Sequence, residues 1–350
     1  MSFLWRWIKR LVLAVVVIVI LLLLPVGYTE LACQGDEQAT ITDPLITDPD
    51  WQRAESRTLM TYPEWHIVHA YDDYARVVSE GDPHDFAFLR AVTGFWTALC
   101  PLTRASAEMG GVTGDTKMTI YTIGVSFSAE LLAKAAYEET LGRLATLVRG
   151  ADQRSPLDDL SAEQAAEYAK FLQQTPWYEW DFERDKAALT AAKSDQFRDR
   201  ERAFALGLEY AAKSAYASVI EQAVAGIGAD QLRLRSVVSG LTPEALAEIE
   251  GITVVETRGD GVLIETDRYR AFTRIVDRLA DAGADVVEIA GNDDILFTVT
   301  TSEDTFDGAL YSFPRQGYGD WRHLVLVPVP ELANHLRALD GGALEHVHDY

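Results

Sequence analysis

The chain has 350 residues, 48% of them apolar and 24% charged, with 54 acidic against 31 basic side chains and a formal charge of −23 at pH 7. That length suits about two domains, and the composition is that of a chain folding mostly in water, not of a disordered, collagen-like or polytopic membrane protein. So acidic a surface repels nucleic-acid phosphate, which sets nucleic-acid binding aside.

The first element is apolar. Residues 11–24 are all aliphatic, and no charge falls between Arg10 and Glu30. A membrane-spanning helix needs about 20 such residues, so 11–29 reads as a transmembrane anchor within a first unit of 1–29. Trp5, Trp7 and Tyr28 suit the two interfaces, while Arg6, Lys9 and Arg10 precede the run and acids dominate after it. The positive-inside rule then keeps the tip cytoplasmic and places the bulk outside, as in a single-pass protein of a bacterial inner membrane with a periplasmic body. Two alternatives stand beside this. One is a cleaved signal peptide, for which the apolar core is at the upper limit of length. The other is a lipoprotein site at Leu31-Ala32-Cys33, against which Glu30 and the long polar gap count.

The two cysteines, Cys33 and Cys100, would face an oxidising compartment and are expected to pair. Otherwise Cys100 is a buried apolar residue and Cys33 an exposed thiol. Two such distant cysteines without flanking ligands do not suggest a metal site.

Residues 30–60 read as a polar connector, with Thr42-Asp43-Pro44 echoed by Thr47-Asp48-Pro49. Residues 61–240 read as a helical domain, with helices expected over 63–80, 84–100, 119–149, 161–174, 183–193 and 196–226. Capping boxes are expected at Thr61 with Glu64 and at Ser161 with Gln164. In 241–350 the hydrophobic period becomes two. Strands at 252–257 and 261–266, a helix at 267–282 and strands at 286–290 and 295–300 precede a strand at 323–329, a helix opened by Pro330 and a strand at 344–349. The fold class is therefore α+β: a transmembrane helix, a helical body and a C-terminal ferredoxin-like α/β sandwich.

The segments Tyr62-Pro63-Glu64-Trp65, Pro176-Trp177-Tyr178-Glu179-Trp180-Asp181-Phe182, Ala290-Gly291-Asn292-Asp293-Asp294-Ile295-Leu296 and His346-Val347-His348-Asp349-Tyr350 resemble a set of bacterial membrane-anchored proteins of unassigned function. The resemblance covers most of the chain after the anchor. It implies a similar anchored architecture and carries no activity or functional residues.

Candidate sites come from residue spacing. His66, His69 and Asp73 fall within one sector of about 60° on a helix and could converge on a divalent ion. Arg76 and Glu80 share that sector, which reads as a solvated face, and no HExxH arrangement is present. His346 and His348 alternate along a terminal strand and read as exposed. The pattern E-x-x-A-K-x-A-Y occurs twice, as Glu130, Lys134 and Tyr137 and again as Glu209, Lys213 and Tyr216. Both sets lie in apolar stripes, the first continuing through Leu141 and Val148, so the charges are expected buried and paired. Antiparallel packing would join Glu130 to Lys213 and Glu209 to Lys134. One reading is a structural lock. The other is a cavity with a lysine base or nucleophile and a tyrosine acid.

Weaker signals remain. Arg258-Gly259-Asp260 reads as a hairpin turn, the glycines of residues 110–117 lack the GK[ST] order of a phosphate loop, and the aromatic block 177–182 suits core or interface. No cofactor is indicated. The expected function is that of a membrane-anchored extracytoplasmic binding, assembly or accessory protein, with a membrane-protein partner or a second copy. The alternative is an anchored hydrolase or lyase using the Glu/Lys/Tyr cluster or a divalent metal.

Overall fold

A computed structural model describes residues 2–38, 43–150, 153–225, 232–339 and 342–350. The anchor region is one helix, α1 (Ser2–Ala32), which continues past the expected span into the body. Its aliphatic stretch is bare, with Leu11, Ile18 and Leu24 each more than half exposed. Its far end is gripped instead. Val26 joins the helical core, Arg104 donates to the Ala32 carbonyl at 2.8 Å, and Cys33 is disulfide-bonded to Cys100 with their Cα atoms 4.9 Å apart. The helix is long and apolar enough to cross a membrane, as an anchor or a signal sequence, and the disulfide fits an oxidising, extracytoplasmic compartment.

The body is made of α2 (Arg57–Glu80), α3 (Phe88–Glu108), α4 (Gly114–Tyr137), α5 (Arg143–Arg149), α6 (Pro156–Leu172), α7 (Phe182–Ala192) and α8 (Phe197–Ala225). Helix α2 starts ahead of the expected cap, so Thr61 donates its hydroxyl to the Thr58 carbonyl inside the helix. The capping box of α6 is Ser155 with Asp158, not Ser161 with Gln164. Helix α3 runs on through Pro101 because Leu102, Ser106 and Ala107 extend its buried face. Between α4 and α5 lies a π-helical turn, Glu138–Gly142. Its extra residue rotates the helix beyond it by about 100°. Glu138, four residues after Lys134 on the same face, is buried, while Leu141 and Val148, expected in the buried stripe, are exposed.

Two antiparallel sheets follow, where the sequence suggested one. The first comprises β1 (Arg233–Ser239), β2 (Thr253–Arg258), β3 (Gly261–Asp267) and β4 (Asp285–Ile289), in the order β2-β3-β1-β4, with α9 (Pro243–Ala247) after β1 and α10 (Arg270–Asp281) after β3. The second comprises β5 (Asp294–Thr301), β6 (Ala309–Pro314), β7 (Trp321–Pro328) and β8 (Ala343–His348), in the order β6-β7-β5-β8, with α11 (Val329–Arg337) before β8. Counted from its own first strand, each sheet has the same order. The strands expected at 286–290 and 295–300 are not a hairpin. Ala290 and Gly291 take positive φ, 53° and 82°, and turn the chain out of one sheet into the other. Strand β4 pairs with β1, which lies in the stretch read as helical, and β5 pairs with β7 and β8.

Helices α10 and α11 sit between the sheets. Ile275 and Leu279 of α10 pack on the first sheet, while Phe272, Val276 and Ala280 join α11 and the second. Strand β5 is covered on both faces: Ile295, Phe297 and Val299 face that layer, and Leu296 meets the helical body. Burial on both sides explains its nearly continuous apolar run. The connector also packs, with Ile46 against Val237 and Leu263 of the first sheet and the Glu288 carboxylate accepting from the Leu45 and Ile46 amides at 2.6 and 2.7 Å.

Candidate functional site: a polar junction of helical body and second sheet

The two charged motifs meet where α4 and α8 cross. Lys134 pairs with Glu209 at 3.0 Å, and Lys213 with Glu130 at 2.9 Å and Glu209 at 3.2 Å. Side-chain exposure is 14% for Lys134, 12% for Lys213 and 18% for Glu209, so solvent barely enters. Tyr137 and Tyr216 are not part of it. Tyr137 donates to Glu201, and Tyr216, half exposed, stacks on Trp177. Their place is taken by Tyr71 of α2, which donates to Glu130 at 2.6 Å and accepts from Lys213 at 3.0 Å. Burial opposes charge on Lys134 and Lys213, but the facing carboxylates outweigh it and raise both pKa values. Burial likewise opposes charge on Glu209, yet the two lysines hold it at about 2. A lysine kept protonated is neither base nor nucleophile, and the arrangement is a closed ion-pair lattice.

A second lattice, not legible in the sequence, lies nearby. Arg198 and Arg202 of α8 are buried, Arg198 on Asp158 and Asp82, Arg202 bidentate on Glu138. The buried Glu138 is thus a paired charge.

The sector of His66, His69 and Asp73 is not solvated: all three are buried against the second sheet. Nor do they form a metal site. His66 is occupied at both nitrogens, Nε2 at 2.9 Å from the Ala91 carbonyl and Nδ1 at 3.3 Å from the Tyr62 hydroxyl. Asp73 accepts from the Gln316 amide at 3.0 Å and has the Arg322 guanidinium 3.6 Å away. Among the described residues, the ligand atoms that gather within 4.8 Å are those of Asp82, His84 and Asp85, and there the Arg149 and Arg198 guanidiniums already engage Asp82.

His346 and His348, expected exposed, are buried too. His346 lies under the Trp65 ring, with centroids 3.4 Å apart, and its Nδ1 is 2.9 Å from the Thr273 hydroxyl. His348 Nε2 is 2.6 Å from the Thr298 hydroxyl. The second nitrogen of each, and Nε2 of His69, has no hydrogen-bond partner among the described residues, though His69 Nε2 lies 3.6 Å from Glu345. Burial lowers all four imidazoles, to about 4 for His66 and about 3 for His348, and keeps them neutral. Burial raises Asp73 to about 6 despite Arg322. A buried polar group normally has its partners, so three unmet imidazole nitrogens in one junction need an explanation.

That junction opens into a cavity of about 320 Å³, lined by Trp65, His69 and Asp72 of α2, Arg270, Thr273, Arg274 and Asp277 of α10, Arg315, and Leu344, Glu345 and His346 of β8. Its wall begins at a strained residue. Tyr269, the residue before α10, has φ 65° and ψ −134°, and its amide donates to the buried Asp349 carboxylate at 2.8 Å. Strain of this kind persists only where the surroundings enforce it, and it concentrates at functional sites.

The other sequence candidates are structural. Arg258-Gly259-Asp260 is the β2–β3 turn. Gly110 and Gly111 take positive φ between α3 and α4. Trp177, Trp180 and Phe182 pack on Tyr168 and Ala217.

No protein-family model, curated protein or solved structure matches the chain.

Proposed function

We propose that the chain is a single-pass protein of a bacterial inner membrane, with its N-terminal tip cytoplasmic and a periplasmic body that binds a ligand or partner and does no chemistry. The observation that carries this reading is the bare aliphatic stretch of α1, which none of the described residues covers and which leads straight into a disulfide-clamped end. A bilayer is the environment that would cover it. The resemblance to bacterial membrane-anchored proteins supports the same reading. Bonding to Cys100 leaves Cys33 no thiol for a lipid. The two sheets, by strand order, are read as two ferredoxin-like units, the second lacking its first helix.

The closed lattice of Lys134 and Lys213 supports binding over a hydrolase or lyase built on it. Leu141, Leu144 and Val148 next to Phe204 and Leu208 of the adjoining α8 are exposed, an apolar face suited to a membrane-protein partner or a second copy.

Fusions after Tyr350 test the topology. Alkaline phosphatase should be active there and green fluorescent protein dark; the reverse pattern overturns the reading, as does a processed product that an alkaline wash removes from membranes. Cys33→Ser with Cys100→Ser, which frees a loop of 67 residues, should cost roughly 2–4 kcal/mol in denaturant melts. Melts unmoved by the double variant would show that the clamp does not hold α1 to the body.

A further inference from the structure

The cavity at the start of α10 is lined by charges that close no ion pair among the described residues, although Asp72 draws on Arg270. Arg270 and Arg274 stand one turn apart on one face of α10 and both line it. Ion pairs around the cavity are made by Arg315, with Asp72, Asp320 and Glu345, and by Arg322 beneath, with Asp73 and Glu345. Among the described residues neither Arg270 nor Arg274 enters one, and neither does Asp277, about one turn beyond Arg274 on the same face of α10. Burial, together with the like charge of Arg274, lowers the Arg270 pKa. Burial and Asp281 raise that of Asp277. Below them, His69 and His346 line the cavity beside the Trp65 ring, with their unmet nitrogens shielded from solvent.

We propose that this cavity binds a small zwitterion of the amino-acid class, its carboxylate held by Arg270 and Arg274 and its ammonium by Asp277. Two guanidiniums one turn apart can both give charge-assisted N–H bonds to one carboxylate. A dianion such as phosphate is disfavoured by the company it would keep, since Asp72, Asp73, Asp277, Asp320 and Glu345 crowd the same region. A plain carboxylate would leave Asp277 bare. A zwitterion neutralises both ends and brings no net charge into an acidic surrounding. The volume, about 320 Å³, lies at the small end of ligand cavities.

The inference rests on the reading of the chain as a binding protein but not on its membrane topology, so an inverted reporter pattern would leave it standing. The test uses the full chain in detergent micelles, titrated calorimetrically with each proteinogenic L-amino acid, with acetate and methylammonium as half-ligands and with inorganic phosphate. At least one amino acid should bind saturably, and tighter than acetate, methylammonium or phosphate. Arg274→Gln should weaken it about tenfold or more, the equivalent of one lost charge-assisted contact. Asp277→Asn should erase the preference for the amino acid over acetate. Arg274 and Asp277 are exposed, so both variants should keep the wild-type circular dichroism, and Arg184→Gln, on an unrelated surface, should bind as wild type does. The proposal is overturned if no amino acid binds saturably, if acetate or phosphate binds as well, or if Arg274→Gln binds unchanged. Recovery of the amino acid chemically altered would support the site while overturning the non-catalytic reading.

Discussion

Two polar regions are buried in this protein, and they are built on opposite principles. In the helical body each lysine of the α4–α8 crossing faces a carboxylate, and each arginine of the neighbouring lattice is shared among two or more. At the junction of α2, α10 and β8, buried imidazole nitrogens lack hydrogen-bond partners among the described residues, and Arg270 and the exposed Arg274 make no ion pair there. Burying charge is costly in both places. In the first region the cost is met within the fold, so removing one member should damage the fold. In the second part of it is left outstanding, so changes there should act on binding and on pH response before they act on stability at neutral pH.

The largest effect should come from the closed region. Glu209→Ala strips Lys134 of its carboxylate and leaves Lys213 with Glu130 alone. Breaking a buried pair from one side costs roughly 3–5 kcal/mol, and the trace of solvent at 18% exposure favours the lower end. Urea unfolding should show it. A loss under about 1 kcal/mol would mean that water reaches the lattice freely and that it is a surface pair.

The junction should respond to acid. Folded values of about 4 for His66 and about 3 for His348 lie below the ordinary 6.5, so the unfolded chain binds more protons once pH falls below 6.5. Stability is then lost progressively down to those values. At about 1.4 kcal/mol per unit, His66 alone accounts for roughly 3 kcal/mol by pH 4. Asp73 acts in the opposite sense. Its folded value of about 6 exceeds the ordinary 3.8, so it adds stability as pH falls from about 6 towards 4; Asp277 and Asp349, also raised by burial, act in the same sense, and the slope is that of the four imidazoles less these carboxyls. Unfolding free energy should fall steeply between about pH 6.5 and 4, and His348→Gln should flatten that slope while Thr298 keeps a partner. A profile that stays level over this range would place water around the histidines and close the contrast between the two regions.

The closed region was legible because its logic is local. Glu and Lys four residues apart, repeated in two Ala-rich helices, announce both the pairing and the close approach. The tyrosines of the same motif misled because Tyr137 is drawn to Glu201 and Tyr216 to the Trp177 ring, partners that spacing along one helix does not reveal. The junction was illegible for the opposite reason. Trp65, Arg270 and Glu345 come from elements far apart in sequence, and nothing in any one of them marks a cavity. His66, His69 and Asp73 share their sector with Arg76 and Glu80, which do form an exposed pair. One helix face is buried at one level and wet two turns later, a change that only the docked sheet explains. The single sheet expected over 241–350 failed similarly. Strands four residues apart look like a hairpin unless the positive φ at Ala290 is known.

The finest test of the contrast is a pair of tyrosines. Tyr71, absent from the repeated motif, makes two charge-assisted hydrogen bonds inside the lattice, whereas Tyr216, written into the motif, makes a half-exposed stack on Trp177. Removing the hydroxyl from Tyr71 should cost about 1.5–3 kcal/mol, because Glu130 and Lys213 each lose a buried partner. Tyr216→Phe keeps the ring and should stay within about 0.5 kcal/mol of the parent. Chemical denaturation of both variants ranks them directly. If Tyr216→Phe proved the more damaging, the motif would be acting as a unit, and the lattice would extend along α8 beyond the crossing that now bounds it.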